Sequence, residues 1–284
     1  MRRTPASDAM HQRGFTLIEA VVVIALTGIL AAVVAQFIVA PVQAYLDSSA
    51  RAQRVDQADG ALRMIARDLR GALPNSVRVN ANGLALELIP STGGARYATQ
   101  GSGALQFGST DTAFDLVGPA LTLAADQQLV FYNLGPGITG ADAYAANDTA
   151  SAQASSNRRQ TSNAAGSASS IVLVSSAGLP VGAMAPPYRV IAVDAPVTYR
   201  CDLASGTLTR HQGYGFVATQ PDPPSGGSSA VLATGVSACR FAAEGTLVAA
   251  HAALVQLQLG LSDSTSAGTE TLSLHHAVHV ANLP

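Results

Sequence analysis

Lysine and tryptophan are absent from this chain of 284 residues, and charged residues make up only 12% of it. All 16 basic residues are therefore arginines, and the formal net charge is −2. Since these arginines form no basic cluster, the sequence excludes the electrostatic footprint of a nucleic-acid-binding protein. One long apolar run stands apart from a mixed, polar remainder, which excludes a collagen-like or multi-span membrane protein. The composition predicts one membrane anchor and one soluble body.

Cysteine is also scarce, because Cys201 and Cys239 are the only two in the chain. A disulfide within the chain can therefore join no other pair. If the body is exported to an oxidising compartment, we expect this bond to form and to stabilise the fold by about 3 to 4 kcal/mol. The alternative is a pair of buried free thiols.

The long apolar run covers residues 15–40 and is interrupted by four polar residues, Thr16, Glu19, Thr27 and Gln36. As a helix rising about 1.5 Å per residue, it spans roughly 39 Å, enough to cross a bilayer core of about 30 Å. The segment before it carries three arginines and a single acid, Asp8. The positive-inside rule then keeps the N-terminus in the cytoplasm and places the body outside. A cleaved secretory signal would have a shorter apolar core, followed by a polar cleavage region.

The residues from Arg13 onward, RGFTLIEAVVVIALTGILAA, resemble the N-terminal signature of type IV prepilins and pseudopilins. A basic leader, a glycine, a phenylalanine, Thr-Leu-Ile-Glu and a long apolar helix follow in that family's order. The resemblance implies that a membrane-embedded prepilin peptidase cuts between Gly14 and Phe15 and methylates the new amino group of Phe15. Glu19 is then the fifth residue of the mature chain.

The carboxylate of Glu19 is unusual because it lies within an apolar run. An acid in the middle of a membrane span costs about 2.5 to 3.5 kcal/mol on insertion scales, and such groups usually have a partner. Glu19 lies near the end of the span, where the cost is smaller. In an assembled filament, the freed amino group of Phe15, on a neighbouring subunit or its own, would favour the charged carboxylate and set the axial register. The alternative is a plain signal anchor with Glu19 among the lipid headgroups.

After Pro41 the sequence predicts an amphipathic helix from about Leu46 to Leu73. Its apolar residues recur at spacings of three and four: Val55, Ala58, Leu62, Ile65 and Leu69. Pro41 is expected to kink or loosen the helix, and Pro74 to end it. Many pilins carry a proline earlier in the apolar half, whereas this chain has Gln36 at the corresponding region. We therefore divide the N-terminal part into a leader (1–14), a membrane and assembly helix (15–40) and an amphipathic helix (41–74).

Residues 75–284 predict a β-rich domain, because short runs of alternating or β-branched residues are bounded by Gly, Pro, Asn and Ser. The candidate strands are SVRVN, LALELIP, ALQFG, QLVFYNL, SIVLVS, YRVIAVDAPVTYRCD, GTLTRHQGY, VSACRFAAEG, LVAAHAALVQLQLGLSD and TLSLHHAVHVANLP. Two stretches, 141–170 and 219–229, lack apolar periodicity and are predicted as flexible loops. The expected architecture is α+β and pilin-like, with the long N-terminal helix packed on an antiparallel sheet.

Further matches in the body resemble the MshO type of minor pilin-like protein from mannose-sensitive haemagglutinin (MSHA) pilus biogenesis. They are ARDLRGALPNSVRV, YRCD, LTRHQGY, VSACRF and HVANLP. The RDLR helix also resembles those of GspJ-like pseudopilins of type II secretion and of PilW-like minor pilins. These resemblances imply a low-copy subunit that initiates or caps a fibre. The implied partners are the prepilin peptidase, other minor and major pilins, the inner membrane and the pilus assembly platform.

Two patterns could indicate a cofactor or metal site instead. GPGITG (135–140) matches G-x-G-x-x-G, but no amphipathic helix and no acid at the next strand end follow it, so we predict a turn. His275, His276 and His279 fall on one predicted strand. Side chains alternate along a strand, so His276 would point away from the other two and the three would not face one metal ion. The sequence predicts no cofactor and no enzyme.

Oxygen-bearing side chains at Asp142, Asn147 and Asp148 could ligate Ca²⁺, although the EF-hand spacing is missing. Hydrated surface residues are the simpler interpretation, and we predict no metal. Two alternatives to a fibre-assembly subunit remain open at this point. One is a binding module at a fibre tip that uses the loops 141–170 or 219–229, and the other is an anchored periplasmic domain with an uncut N-terminus.

Overall fold

The computed structural model describes residues 14–244, 252–265 and 268–283. The chain divides into two compact units, Met1–Ala52 and Gln53–Pro284. Of the leader predicted over residues 1–14, only Gly14 is among the described residues. The helices are α1 (Leu17–Val34), a π-helical turn (Ala35–Val39), α2 (Ala40–Arg70), α3 (Ala150–Ala154) and a 3₁₀ turn (Val181–Ala183).

The strands of the described residues are, in chain order, β1 (Arg78–Val79), β2 (Ala85–Leu88), β3 (Ser91–Tyr97), β4 (Ala113–Val117), β5 (Leu121–Leu123), β6 (Gln128–Phe131), β7 (Arg158–Gln160), β8 (Gly166–Ala168), β9 (Ser170–Val172), β10 (Arg189–Val193), β11 (Val197–Asp202), β12 (Thr207–Gln212), β13 (Ser228–Thr234), β14 (Val236–Glu244), β15 (Ala252–Thr265) and β16 (Gly268–Ala281). All their pairings are antiparallel. The predicted α+β fold, a long apolar helix followed by an antiparallel β-rich domain, is confirmed.

In the first unit, α1 carries apolar side chains on every face apart from Glu19 and Thr27, and none of its residues is buried within the chain. Such a helix is suited to a membrane or to the interior of a larger assembly. The loosening expected near Pro41 takes the form of the π-helical turn, which ends at Val39. Because proline has no N–H, the carbonyl of Phe37, four residues earlier, loses its usual helical partner, and a π-helical turn is a common local adjustment.

In the second unit, the predicted apolar stripe of α2 is buried at Ala58, Leu62, Ile65 and Leu69. The helix ends at Arg70 rather than at the predicted Leu73. The reason is that the backbone leaves the helix to pair with the chain beside it. The N–H of Leu73 donates to the carbonyl of Ile89 at 2.7 Å, and the N–H of Ser91 donates to the carbonyl of Gly71 at 2.8 Å.

The strands form four sheets. A five-stranded sheet has the order β1-β2-β11-β12-β13, a six-stranded sheet has the order β7-β6-β10-β3-β4-β9, a three-stranded sheet has the order β14-β15-β16, and β5 pairs with β8. Strands β2 and β11 are direct neighbours, with Leu88 opposite Val197. Everything from β3 to β10 is therefore inserted between two adjacent strands. We call residues 91–193 the inserted lobe, and we call the described residues of 53–88 and 197–283 the helix-side body.

The core of the helix-side body lies among α2, the five-stranded sheet and the three-stranded sheet. Side chains such as Leu86 on β2 and Leu257 on β15 join the α2 stripe in one cluster. Cys201 on β11 and Cys239 on β14 form a disulfide, with 6.4 Å between their Cα atoms. This bond ties the two sheets together and makes the pair expected from the sequence.

The inserted lobe has a separate core that is rich in aromatic rings. Tyr97 lies at its centre, with ring centroids of Phe107, Phe114, Phe131 and Tyr188 between 5.6 and 6.3 Å away. Three of these four pairs are T-shaped, a favourable arrangement for aromatic rings. The candidate strand ALQFG is not a strand, because it runs as a loop that places Phe107 in this cluster.

The prediction of a flexible loop over 141–170 is wrong. This segment contains α3, β7, β8 and the start of β9, and several of its residues are buried. Its order comes from polar contacts, which apolar periodicity cannot reveal. The Asn157 side chain donates to the carbonyl of Phe131 at 2.9 Å, and the Arg158 guanidinium donates to the carbonyl of Ala143 at 2.5 Å.

The segment 219–229 is a loop up to the start of β13 at Ser228, close to the sequence prediction. Its Asp222 accepts hydrogen bonds from Arg200 at 2.7 Å and from Asn80 at 2.6 Å. The candidate strand YRVIAVDAPVTYRCD is in fact two strands, β10 and β11, which lie in different sheets. The break falls at residues 194–196, where the chain passes from the inserted lobe back to the helix-side body.

Candidate functional site

The predicted cleavage position is exposed and lies outside the helix. Gly14 and Phe15 precede the first helix, and Phe15 is 80% exposed. Among the described residues, no atom outside its chain neighbours lies within 4 Å of the position that a Cβ on Gly14 would occupy. An exposed, non-helical peptide bond is the kind of backbone that a peptidase can bind. The structure thus leaves the bond between Gly14 and Phe15 accessible within the chain.

The helix begins with a polar cap. Thr16 has the extended backbone of an N-cap, and its hydroxyl oxygen accepts a hydrogen bond from the N–H of Glu19 at 3.3 Å. Glu19 therefore lies at the third helical position, in the first turn of α1. A carboxylate at this position is favoured by the partial positive charge of the helix N-terminus. The carboxylate of Glu19 is exposed on the helix surface.

Sequence analysis missed this capping role for Thr16 and Glu19. The signal was nevertheless present, because Thr-Leu-Ile-Glu has the spacing of a capping box, in which a threonine cap is followed three residues later by a glutamate. The same carboxylate that is expected to pair between subunits thus also lies where it stabilises the start of its own helix.

One helical stretch of the described residues, Leu17–Arg70, contains a segment long and apolar enough to cross a membrane. The polar Thr27 within it satisfies its own hydroxyl, which donates to the carbonyls of Val23 at 2.7 Å and Ile24 at 3.0 Å. A hydroxyl that bonds to its own helix costs less in an apolar surrounding than an unsatisfied one. The predicted span of Phe15 to Ala40 covers the two residues before α1, then α1, the π-helical turn and the first residue of α2.

Residues 9–35 match the prokaryotic N-terminal methylation motif. This prepilin-type motif covers Gly14, Phe15 and Glu19, about a tenth of the chain in all, and supports a type IV pilin-like protein. The motif implies processing by a prepilin peptidase and assembly with other pilins. No curated protein and no solved structure matches the chain.

The structure does not bring the other candidate residues together. The three glycines of GPGITG all have positive φ, between 75° and 117°, and form a turn. On β16, His275 and His279 are exposed, while His276 is turned to the other face and is half-buried. In the part of the chain that the structure describes, no group of three His, Cys, Asp or Glu side chains is arranged to hold a metal.

Two of the residues considered for Ca²⁺, Asp142 and Asn147, have other partners. The Asp142 carboxylate accepts hydrogen bonds from the N–H groups of Gly137 and Tyr144, each at 2.8 Å. The side-chain amide of Asn147 donates to the carbonyl of Arg158 at 3.0 Å. The contacts of Asp142 hold the turn, and the contact of Asn147 links the following residues to β7.

A buried charged network joins the two parts of the second unit, and no sequence pattern predicts it. Glu87 on β2 is completely buried and accepts hydrogen bonds from Arg78 at 2.5 Å and from the hydroxyl of Tyr214 at 2.8 Å. Burial raises the pKa of Glu87 above its ordinary value, and the contacts with Arg78 oppose part of that rise. The Arg78 guanidinium also lies 3.7 Å from the ring centroid of Tyr144 in the inserted lobe.

Proposed function

We propose that the chain is a minor pilin or pseudopilin that is cleaved by a prepilin peptidase after Gly14 and built into a fibre. The observation that carries this proposal is the prepilin-type motif, which overlaps a helix that is almost entirely apolar. Before assembly, that helix would anchor the chain in the inner membrane, with the N-terminus in the cytoplasm and the body in the periplasm. In the fibre, the same apolar surface would contact the helices of other subunits.

Glu19 is the assembly residue in this proposal. Cleavage frees an amino group on Phe15, whose positive charge lies at the positive end of the helix dipole and so needs an anion. The exposed carboxylate of Glu19, one turn into the helix, can supply that charge to a neighbouring subunit. In an apolar surrounding an unpaired acid is costly, so only the axial register that pairs the two groups is favoured.

The size of the body supports the role of a minor, low-copy subunit. The inserted lobe adds about 100 residues between two neighbouring strands, which makes the body bulky for a subunit repeated along a whole shaft. The body motifs resemble MshO-type proteins of the MSHA pilus, so the proposed place of action is the initiation or the capping of such a fibre. The alternative is a GspJ-like minor pseudopilin of type II secretion, and a further one is a binding module at the tip.

The decisive experiment compares Glu19→Ala with Gln36→Ala, which removes a different polar group from the same apolar run. An ion pair worth about 1.4 kcal/mol or more implies at least about a tenfold loss of incorporation for Glu19→Ala. Incorporation is measured as the amount of the protein in sheared fibres relative to the membrane pool. Gln36→Ala should leave it unchanged.

Mass spectrometry of the same samples provides the second readout. Both variants and the parent protein should begin at an N-methylated Phe15, because neither change alters the cleavage site. A parent protein that still begins at Met1 in cells with an active peptidase would contradict the proposal. Equal incorporation of the Glu19→Ala variant and the parent protein would refute the role of Glu19 but not the cleavage and fibre assembly of the chain.

A further inference from the structure

A cleft of about 520 Å³ lies where the inserted lobe meets the loop that follows β12. Its walls are mostly amide, guanidinium and small side chains. The lining residues used below are Gln128 on β6, Asn147 and Asp148 before α3, and Arg158 and Arg159 on β7. The volume falls within the usual range for small-molecule sites.

The two adjacent arginines are buried, with Arg158 only 6% and Arg159 only 1% exposed. Backbone carbonyls hold both guanidinium groups in place. Arg158 donates to the carbonyls of Ala143 and Ala145. Arg159 donates to the carbonyls of Gln153, Ser156, Arg158, Ala177 and Gly178. Among the described residues, neither arginine forms an ion pair with a carboxylate. Buried charges normally have such a partner, because removing an ion from water is costly.

Unsatisfied polar atoms are concentrated at the same place. In the part of the chain that the structure describes, five buried side-chain nitrogen or oxygen atoms have no hydrogen-bond partner. Three of them belong to residues that line the cleft, namely the Nε atoms of Arg158 and Arg159 and the Oδ1 atom of Asn147. Unsatisfied buried groups are rare in native proteins, and a water or ion that completes their contacts is a common reason for them. An anion can complete the contacts of the two Nε donors, whereas the Oδ1 acceptor of Asn147 needs a donor.

Two carboxylates stand near the pair. Asp142 is close enough to oppose part of the fall in the pKa of Arg158, but its oxygens accept from two backbone N–H groups. Asp148 lines the cleft and is exposed to solvent, where its charge is well screened. Burial lowers the pKa of each arginine to about 10, so both remain protonated at neutral pH. In the described part of the chain, burial alone accounts for the lowered pKa of Arg159.

We propose that this cleft binds a small ligand through an oxyanion group, that is, a carboxylate, sulfate or phosphate. The two fixed guanidinium groups supply positive charge, and guanidinium groups are well suited to oxyanions. The neighbouring amides of Gln128 and Asn147 supply polar contacts to the rest of the ligand. This inference concerns the inserted lobe and does not depend on cleavage at Gly14 or on fibre assembly.

The test uses the full chain in detergent micelles and three probes, sodium sulfate, sodium phosphate and sodium acetate, with sodium chloride at equal ionic strength as the reference. Binding is measured by isothermal titration calorimetry. At least one probe should bind saturably where chloride does not, and the order of affinity identifies which oxyanion the site prefers. Absence of saturable binding by all three would overturn the proposal.

Two surface changes then locate the site without removing either buried arginine. Gln128→Glu places a negative charge at the cleft and should weaken binding about tenfold or more. Asp148→Asn removes a negative charge from the cleft and should strengthen binding a few-fold, the size of effect expected for a screened charge. Gln100→Glu, an exposed position away from the cleft, makes the same charge change as Gln128→Glu and should alter affinity by less than about twofold. Equal effects of Gln128→Glu and Gln100→Glu would refute binding in this cleft.

Discussion

The helix-side body and the inserted lobe are stabilised in different ways. The helix-side body buries the apolar stripe of α2 against two sheets and joins those sheets by a disulfide. The inserted lobe has an aromatic cluster, and its long polar segment is held by buried arginine and asparagine side chains that donate to carbonyls. One chain thus combines a core that can be predicted from its apolar pattern with a lobe in which a long segment is ordered by buried polar contacts.

The largest expected effect comes from the aromatic cluster. Phe131→Ala removes a fully buried ring that lies within 6.0 Å of three others, and should lower the free energy of unfolding by about 3 to 5 kcal/mol. Hydrogen exchange measured by mass spectrometry should show faster exchange in β6 and β10, with little change in α2. Val117→Ala, at an exposed position on β4, is the matched control and should change stability by less than about 0.5 kcal/mol. Equal loss of protection in α2 would show that the two parts unfold as one.

A slightly smaller effect is expected from the disulfide. The Cys201→Ser and Cys239→Ser double variant should lose about 3 to 4 kcal/mol of stability, since the bond restricts the unfolded chain. Here the faster exchange should appear in β11 and β14, while β6 and β10 keep their protection. Chemical denaturation of the parent protein under reducing conditions should reproduce the loss. If reduction left the unfolding midpoint unchanged, the bond would not be a source of stability.

The smallest effect is expected from the buried carboxyl group between the two parts. Because burial raises the pKa of Glu87 above 4.5, the folded state holds its proton more tightly than the unfolded state does. The stability from this group is fully present below the unfolded pKa and is lost as pH rises through the folded pKa, by at most about 1.4 kcal/mol per pH unit. Glu87→Gln should remove this dependence, as measured by denaturation between pH 4 and 7. A parent protein with the same pH profile as Glu87→Gln would contradict the pKa shift.

The sequence was informative where structure depends on local pattern. The stripe of α2 from Ala58 to Leu69 follows from spacing, and the cysteine pair follows from there being only two. The lobe was not predictable in the same way, because β2 pairs with β11 across more than 100 residues. Strand β3 also lacked a signal, since its sequence STGGARY contains two adjacent glycines and little apolar surface.

At the candidate site, the residue identities came from a linear motif and the physical detail came from the structure. Gly14, Phe15 and Glu19 were named from their order alone. The cap that Thr16 provides to the N–H of Glu19 needed the helix start to be seen. Arg158 and Arg159 could not have been predicted as buried, because arginine in an Ala, Ser and Asn-rich stretch ordinarily indicates a hydrated surface.

The two ends of the inserted lobe leave the helix-side body side by side, at Leu88 and Val197. A segment whose ends are adjacent can be lengthened, shortened or exchanged without moving the strands that flank it. In the proposed fibre subunit, the inserted lobe could therefore change in length or sequence without altering the strands of the helix-side body. Under the proposed function, the surface that the lobe presents is thus structurally independent of the helix that enters the fibre.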